Sequence, residues 1–241
     1  MTLSDSSAPT QTVRYTLKGA AFLLRVPPST LQTWANGYTL KLAYGRISEK
    51  RGILLSDRTE PHLFNFWELI ELMLVRELVR KRKDALGNPA EPYATLDQVR
   101  DMVQNMKPGL GDSPLARGDL QRVLGQIVSP NIKPGFLTNV ALGQHLLEYA
   151  DELVSDLEFD TSENGFVSVW YPQPNHVIRV NPNMRWGMPS VPSGVTAEAI
   201  YERYVAEDHD EGDTAEWFNI PVSEVQAAIS FQEAWSSPQA A

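Results

Sequence analysis

Residues 17–34 read LKGAAFLLRVPPSTLQTW, and the fold turns on this stretch. Leu17, Ala20, Ala21, Leu23 and Leu24 recur at helical spacing, Val26-Pro27-Pro28 interrupts them, and a second run follows Ser29 with Leu31 and Trp34. Proline stops a helix interior but suits a first turn, and serine is a favoured N-cap. The stretch therefore predicts helix, tight turn, helix, with Ser29 capping the second. That second helix exposes Ser29, Thr30, Gln32 and Thr33, small polar groups able to reach base edges or phosphates. Just downstream, the runs at 39–46 and 52–56 are short and β-prone around a turn. They predict a two-stranded wing whose Lys41, Arg46, Lys50 and Arg51 contact phosphates.

Working outward, Asn65 with Glu68 three residues on opens the strongest helix, which carries Phe66, Leu69, Ile70, Met73, Leu74 and Leu78 and closes on Arg80-Lys81-Arg82-Lys83. That basic cluster suits either the negative end of the helix dipole or a phosphate. Residues 84–94 read as a loop, 95–106 as a helix, 107–119 as a loop, and 120–128 and 136–156 as helices. Residues 159–171 form a hairpin turning at Asn164-Gly165. Past Pro172 come a short strand at 177–180, a turn at Asn181-Pro182-Asn183, an irregular stretch over 187–194, and two or three helices to about Trp235. Val26-Pro27-Pro28-Ser29-Thr30-Leu31 is echoed by Ile220-Pro221-Val222-Ser223-Glu224-Val225. The same turn chemistry is expected twice, but the second copy exposes Glu224, Gln226 and Glu233 and would repel DNA.

Charge divides the chain the same way. Its 241 residues carry a net −9, yet residues 1–83 hold 13 Lys/Arg against 7 Asp/Glu, whereas 84–241 hold 8 against 23. A basic front and an acidic back point to two surfaces with different partners. Zero cysteines exclude a disulfide scaffold, a zinc ribbon, a thiolate sensor and a cysteine nucleophile, and with no apolar run of membrane length the expected home is the cytoplasm. His62, His145, His176 and His209 are scattered without metal-ligand spacing. The acidic run 207–213 fails the calcium-loop template: counted from Asp208, the sixth and twelfth positions are Asp213 and Asn219 instead of glycine and glutamate. With no phosphate loop, dinucleotide fingerprint or nucleophile elbow, neither enzyme chemistry nor a cofactor is expected. A metal-dependent hydrolase using the 207–213 acids stays as a distant alternative.

Two resemblances sharpen this reading. Tyr15-Thr16-Leu17, Pro27-x-Ser29-Thr30-Leu31-x-x-Trp34, the wing, and Phe66-x-x-Leu69-Ile70-Glu71 leading to Leu96-x-x-Val99-Arg100 resemble the MerR-like winged helix-turn-helix. Residues 178–189, including Asn181-Pro182-Asn183-Met184-Arg185-Trp186-Gly187-Met188-Pro189, with 222–229, resemble a small bacterial helix-turn-helix family regarded as VapB-like antitoxins and encoded beside PIN-like ribonucleases. Pro108, Gly109, Gly111 and Pro114 interrupt the long dimerisation helix of typical MerR regulators, and Ser193-Gly194-Val195 replaces that second family's Gly-Thr-Arg turn.

The resemblance implies a mainly α protein with small β elements, without catalytic residues: an arm at 1–13, a winged helix-turn-helix DNA-binding domain at 14–106, a helical and hairpin dimerisation region at 107–172, a C-terminal three-helix antitoxin domain at 173–236 and a tail at 237–241. It implies an antitoxin of a type II toxin–antitoxin system that inhibits a PIN-like ribonuclease toxin and autorepresses its operon on operator DNA. A homodimer is expected, through helix 65–83 or 136–156. Arg179, Arg185, Trp186, Met188, Arg203, Glu207, Asp208 and Asp210 are the candidate toxin contacts: arginines for a carboxylate-rich active site, apolar anchors, and acids that mimic a polyanion. The alternative is a stand-alone MerR-like regulator whose rear half binds a small molecule or a protein.

Overall fold

The computed structural model describes residues 13–41, 47–54, 60–83, 87–117, 154–160 and 165–236. They form a mainly α fold with small two-stranded sheets, divided into two compact units: one holds the described residues of 14–155 and 159–167, the other those of 1–13, 156–158 and 168–241. The expected helices 120–128 and 136–156, apart from the last residues of the second, lie outside the described residues, as do the tail and all of the arm but Val13, which is buried.

In the first unit, β1 (Tyr15–Thr16) pairs antiparallel with β4 (Leu63–Phe64). Thr16 then caps α1 (Leu17–Leu24), its Oγ1 accepting the Gly19 N–H at 3.1 Å. Arg25 ends α1 in the left-handed region, and α2 (Pro28–Asn36) starts with proline at its first position. The expected helix pair is present, but Ser29 is not the cap. Pro27 holds that position without a side-chain bond, and Ser29 lies inside the first turn, its carbonyl accepting the Thr33 hydroxyl at 2.9 Å. The two helices pack on each other, and Leu24 and Leu31 are both fully buried.

The two strands that follow are β2 (Gly37–Lys41) and β3 (Ile47–Arg51), paired Gly37 to Arg51 and Lys41 to Ile47. The expectation put the second strand at 52–56, where the apolar residues are. Ile53 and Leu54 are instead buried in the core, and the Ile53 N–H donates to the Trp34 carbonyl at 2.8 Å. Burial claimed Ile53 and Leu54, and the polar run before them formed the ladder, while Leu55 and Ser56 lie outside the described residues. Gly37 and Gly52 make this close approach possible: a β-carbon on Gly37 would lie 2.1 Å from the Lys50 carbonyl oxygen, and one on Gly52 2.1 Å from that of Ala35.

Asn65 and Glu68 form the expected reciprocal capping box at the start of α3 (Phe66–Val79), and Thr95 with Gln98 forms another at α4 (Leu96–Leu110). α3 stops at Val79, so Arg82–Lys83 lie beyond it, paired as β5 with β6 (Pro89–Ala90) inside the stretch read as a loop. α4 runs past the expected Met106, through Pro108, to Gly111 at φ 81. Phe66, Leu69, Ile70, Leu72, Met73, Leu74, Val75 and Leu78 are all buried within the unit. α3 is therefore mostly core within the unit, with Trp67, Arg76, Glu77 and Val79 partly exposed.

β7 (Leu157–Phe159) and β8 (Val167–Trp170) pair in a two-stranded sheet where a hairpin is expected, and Asn164 of its expected turn lies outside the described residues. The expected strand 177–180 is reduced to single bridges, Trp170 with Val180 and Arg179 with Ser190, each closed by two hydrogen bonds of 2.8–3.0 Å. Asn181 turns the chain as expected, its Oδ1 accepting the Asn183 N–H at 2.8 Å. Three helices close the second unit: α5 (Ala197–Ala206), α6 (Glu211–Phe218) and α7 (Val222–Ser236), packed through Ile200, Val225, Ala228 and Phe231. Among the described residues no helix is long and apolar enough to cross a membrane.

Candidate nucleic-acid and protein interfaces

On α2 the buried stripe is Leu31 and Ala35; Ser29, Gln32 and Asn36 are exposed, with Thr30 and Thr33 half-buried beside them. The four polar residues expected on this face thus do share a surface, as spacing of three and four residues on a helix requires. Thr33 spends its hydroxyl proton on Ser29, leaving an acceptor outward, and Asn36 donates to the Pro61 carbonyl at 3.1 Å.

The wing does not present its cations together. Opposed residues share a face of a two-stranded ladder and alternate along it. Lys41 and Arg51 therefore lie on one face with Thr39 and Glu49, and Lys50 lies on the other with Tyr38. That second face is turned to α4: Lys50 Nζ is 2.7 Å from Asp97 Oδ2, and the Arg100 guanidinium lies 5.7 Å from the centroid of the Tyr38 ring. The hydrogen bond and the charge of Asp97 raise the pKa of Lys50, and Lys50 with Arg100 lowers that of Asp97. Lys50, expected to be a phosphate contact, is thus held by a carboxylate, whereas Lys41 and Arg51 are exposed without an ion partner among the described residues. Arg46 lies outside the described residues.

In the second unit each candidate arginine is already anchored. Arg179 Nη2 donates to the Pro192 carbonyl at 3.1 Å, and Arg185 Nε to the Gly194 carbonyl at 2.7 Å. Arg203 pairs with Glu207 and lies 3.9 Å over the Trp217 ring. Gly194, in the Ser193-Gly194-Val195 turn, thus serves as the acceptor for Arg185. Asp210 caps α6 by accepting the Asp213 N–H at 2.8 Å, Glu211 accepts from Gln226 at 2.8 Å, and Asp208 is exposed in the left-handed region. The 207–213 acids therefore diverge, and no cluster of metal-ligating side chains occurs among the described residues. Glu224, expected on the surface, is buried, its Oε2 accepting the Ser193 N–H at 3.2 Å.

The apolar candidates stand out differently. Trp186 is 83% exposed and Met188 39%. Arg185 and Trp186 both have positive φ, 49 and 57, conformations that L residues adopt at a cost. The Arg185–Gly194 bond and the Asn181 turn hold that strained pair in place, with the indole in solvent. Arg203 was among the expected contacts, but Trp217, 65% exposed beneath it, had no local signal, because their pairing depends on how α5 and α6 pack. Asp97 was missed for the same reason: it lies far along the chain from Lys50.

No family model matches this sequence, and no curated protein matches it. Among solved structures, the fold is similar to the X-ray crystal structure of Rv2018 from Mycobacterium tuberculosis, with a TM-score of 0.60 and 17% identity over 89% of this chain and 96% of that one. At that identity the likeness is one of fold.

Proposed function

We propose that this chain is the antitoxin of a type II toxin–antitoxin pair, which represses its own operon through the first unit and inhibits a PIN-like ribonuclease toxin through the second. The observation that carries the reading is the α1–turn–α2 pair: a polar stripe of Ser29, Gln32 and Thr33 on α2, followed by a wing whose outward face holds Lys41 and Arg51. In this reading the pair is a helix-turn-helix, with α2 entering the major groove and the wing neutralising flanking phosphates. The acidic excess of the second unit and the exposed Trp186 and Met188 support a protein surface there, with charge suited to a basic partner and an apolar anchor. With all three arginines engaged internally, charge mimicry and apolar anchoring fit better than an arginine inserted into the toxin's active site.

The test uses the full chain with the product of its neighbouring reading frame and with a duplex spanning its own upstream region. A stable heteromeric complex that loses ribonuclease activity, and a sequence-selective shift of the duplex, are expected. A chain that binds neither sinks the proposal.

A further inference from the structure

The same turn is built twice in this chain, in identical register, with a different residue at its tightest point. Thr16 caps the eight-residue α1 and Asp210 the eight-residue α6; α1 ends at Arg25 (φ 51, ψ 46) and α6 at Asn219 (φ 53, ψ 51). The next N–H closes on the helix in both, Val26 to the Ala21 carbonyl at 3.1 Å and Ile220 to that of Ala215 at 3.0 Å. A proline follows, and its carbonyl accepts from Leu31 at 3.0 Å in the first copy and from Val225 at 3.4 Å in the second.

Asparagine enters the left-handed region readily because its short amide bonds locally; a long side chain such as arginine gains nothing there. Asn219 shows what the geometry alone needs, so Arg25 answers some further demand. Among the described residues it has no carboxylate partner. Its surroundings oppose its charge: partial burial and then the nearby Arg76 guanidinium lower its pKa. Arg76 is fixed there by donating from Nη1 to the Leu24 carbonyl at 3.0 Å, and Glu77 offsets only part of the local positive charge because it also pairs with Arg80.

We infer that Arg25, with Arg76 behind it, binds a phosphodiester oxyanion of the nucleic-acid backbone at the turn leading into α2, an inference that rests on the operator-binding reading above. A guanidinium suits a phosphate because its N–H groups match two oxygens at once. The contact would relieve the repulsion between the two arginines and fix the register of α2 without reading a base. The second copy, on a net-acidic unit, keeps the turn with asparagine in place of the cation.

Salt-dependent anisotropy of the full chain on two labelled duplexes, its upstream region and a scrambled control, tests this, with thermal melting of each variant alongside. R25N is expected to melt at or above the parent, since Asn219 already holds this conformation. It should weaken binding to both duplexes alike and make the salt slope shallower by about one unit. R25K should retain the slope. An R25N slope equal to the parent's overturns the inference while leaving operator binding intact; a parent chain that binds neither duplex overturns both.

Discussion

Glu71 Oε1 accepts the Leu115 N–H at 3.2 Å from a fully buried position on α3, while its Oε2 has no partner. Burial pushes this carboxyl well above the usual carboxylate range; the Leu115 N–H opposes the shift, and Glu68 and Asp112 add to it. The native state therefore holds a proton that the unfolded chain releases above about pH 4.5. Stability from this group is complete below that pH and is lost as pH rises through the native value. E71Q should remove a dependence of up to about 1.4 kcal/mol per pH unit. Urea midpoints of parent and E71Q at pH 5 and pH 8 check this; parallel shifts in the two proteins would contradict it.

The wing's two faces make distinct predictions. K41A/R51A should weaken duplex binding and flatten its salt slope by about two units, because both cations face outward. K50A should change the slope little, since Lys50 is already held by Asp97. Equal losses for the two variants in a salt titration would show that Lys50 leaves Asp97 to reach DNA.

Gly52 has no room for a side chain. G52A should destabilise the first unit by about 1–3 kcal/mol, because its β-carbon would collide with the Ala35 carbonyl backbone, which cannot move without α2. Thermal melting measures the loss. Gly111, at φ 81 with nothing within 4 Å, should tolerate alanine sterically and show only the cost of its left-handed backbone.

Trp186 separates binding from stability. W186G should leave the melting temperature unchanged or slightly raised, because the indole is solvent-exposed and glycine relieves the positive φ. It should weaken the proposed toxin complex by about 2 kcal/mol, roughly 30-fold, as loss of a tryptophan anchor does. Calorimetric titration with the toxin decides, and unchanged affinity would move the interface elsewhere on the second unit.

Several features were legible because their causes are local. The apolar spacing of 17–34 with Pro27-Pro28, the Asn65/Glu68 box and the Asn181 turn each depend on partners within a few residues, and the structure contains all three. The repeat of the aliphatic-proline turn was legible too, although serine was wrongly made its cap. The second wing strand was misplaced because an apolar run reads as a strand whether it pairs or is simply buried, as Ile53 and Leu54 are.

Sequence by itself determined where the described helices of the first unit begin, to within about two residues, that the same turn recurs at the far end of the chain, and that charge of opposite sign accompanies the two copies. Helix periodicity, capping and proline geometry act over three or four residues, so one dimension suffices to read them. Only the tertiary structure decided which charged groups are free. Lys50 is held by Asp97, Glu224 by Ser193, Arg203 by Glu207 and Trp217, and Glu71 is sealed under Leu115. Most of these partners are brought together by packing between elements distant in sequence, and the availability of a charge depends on that packing.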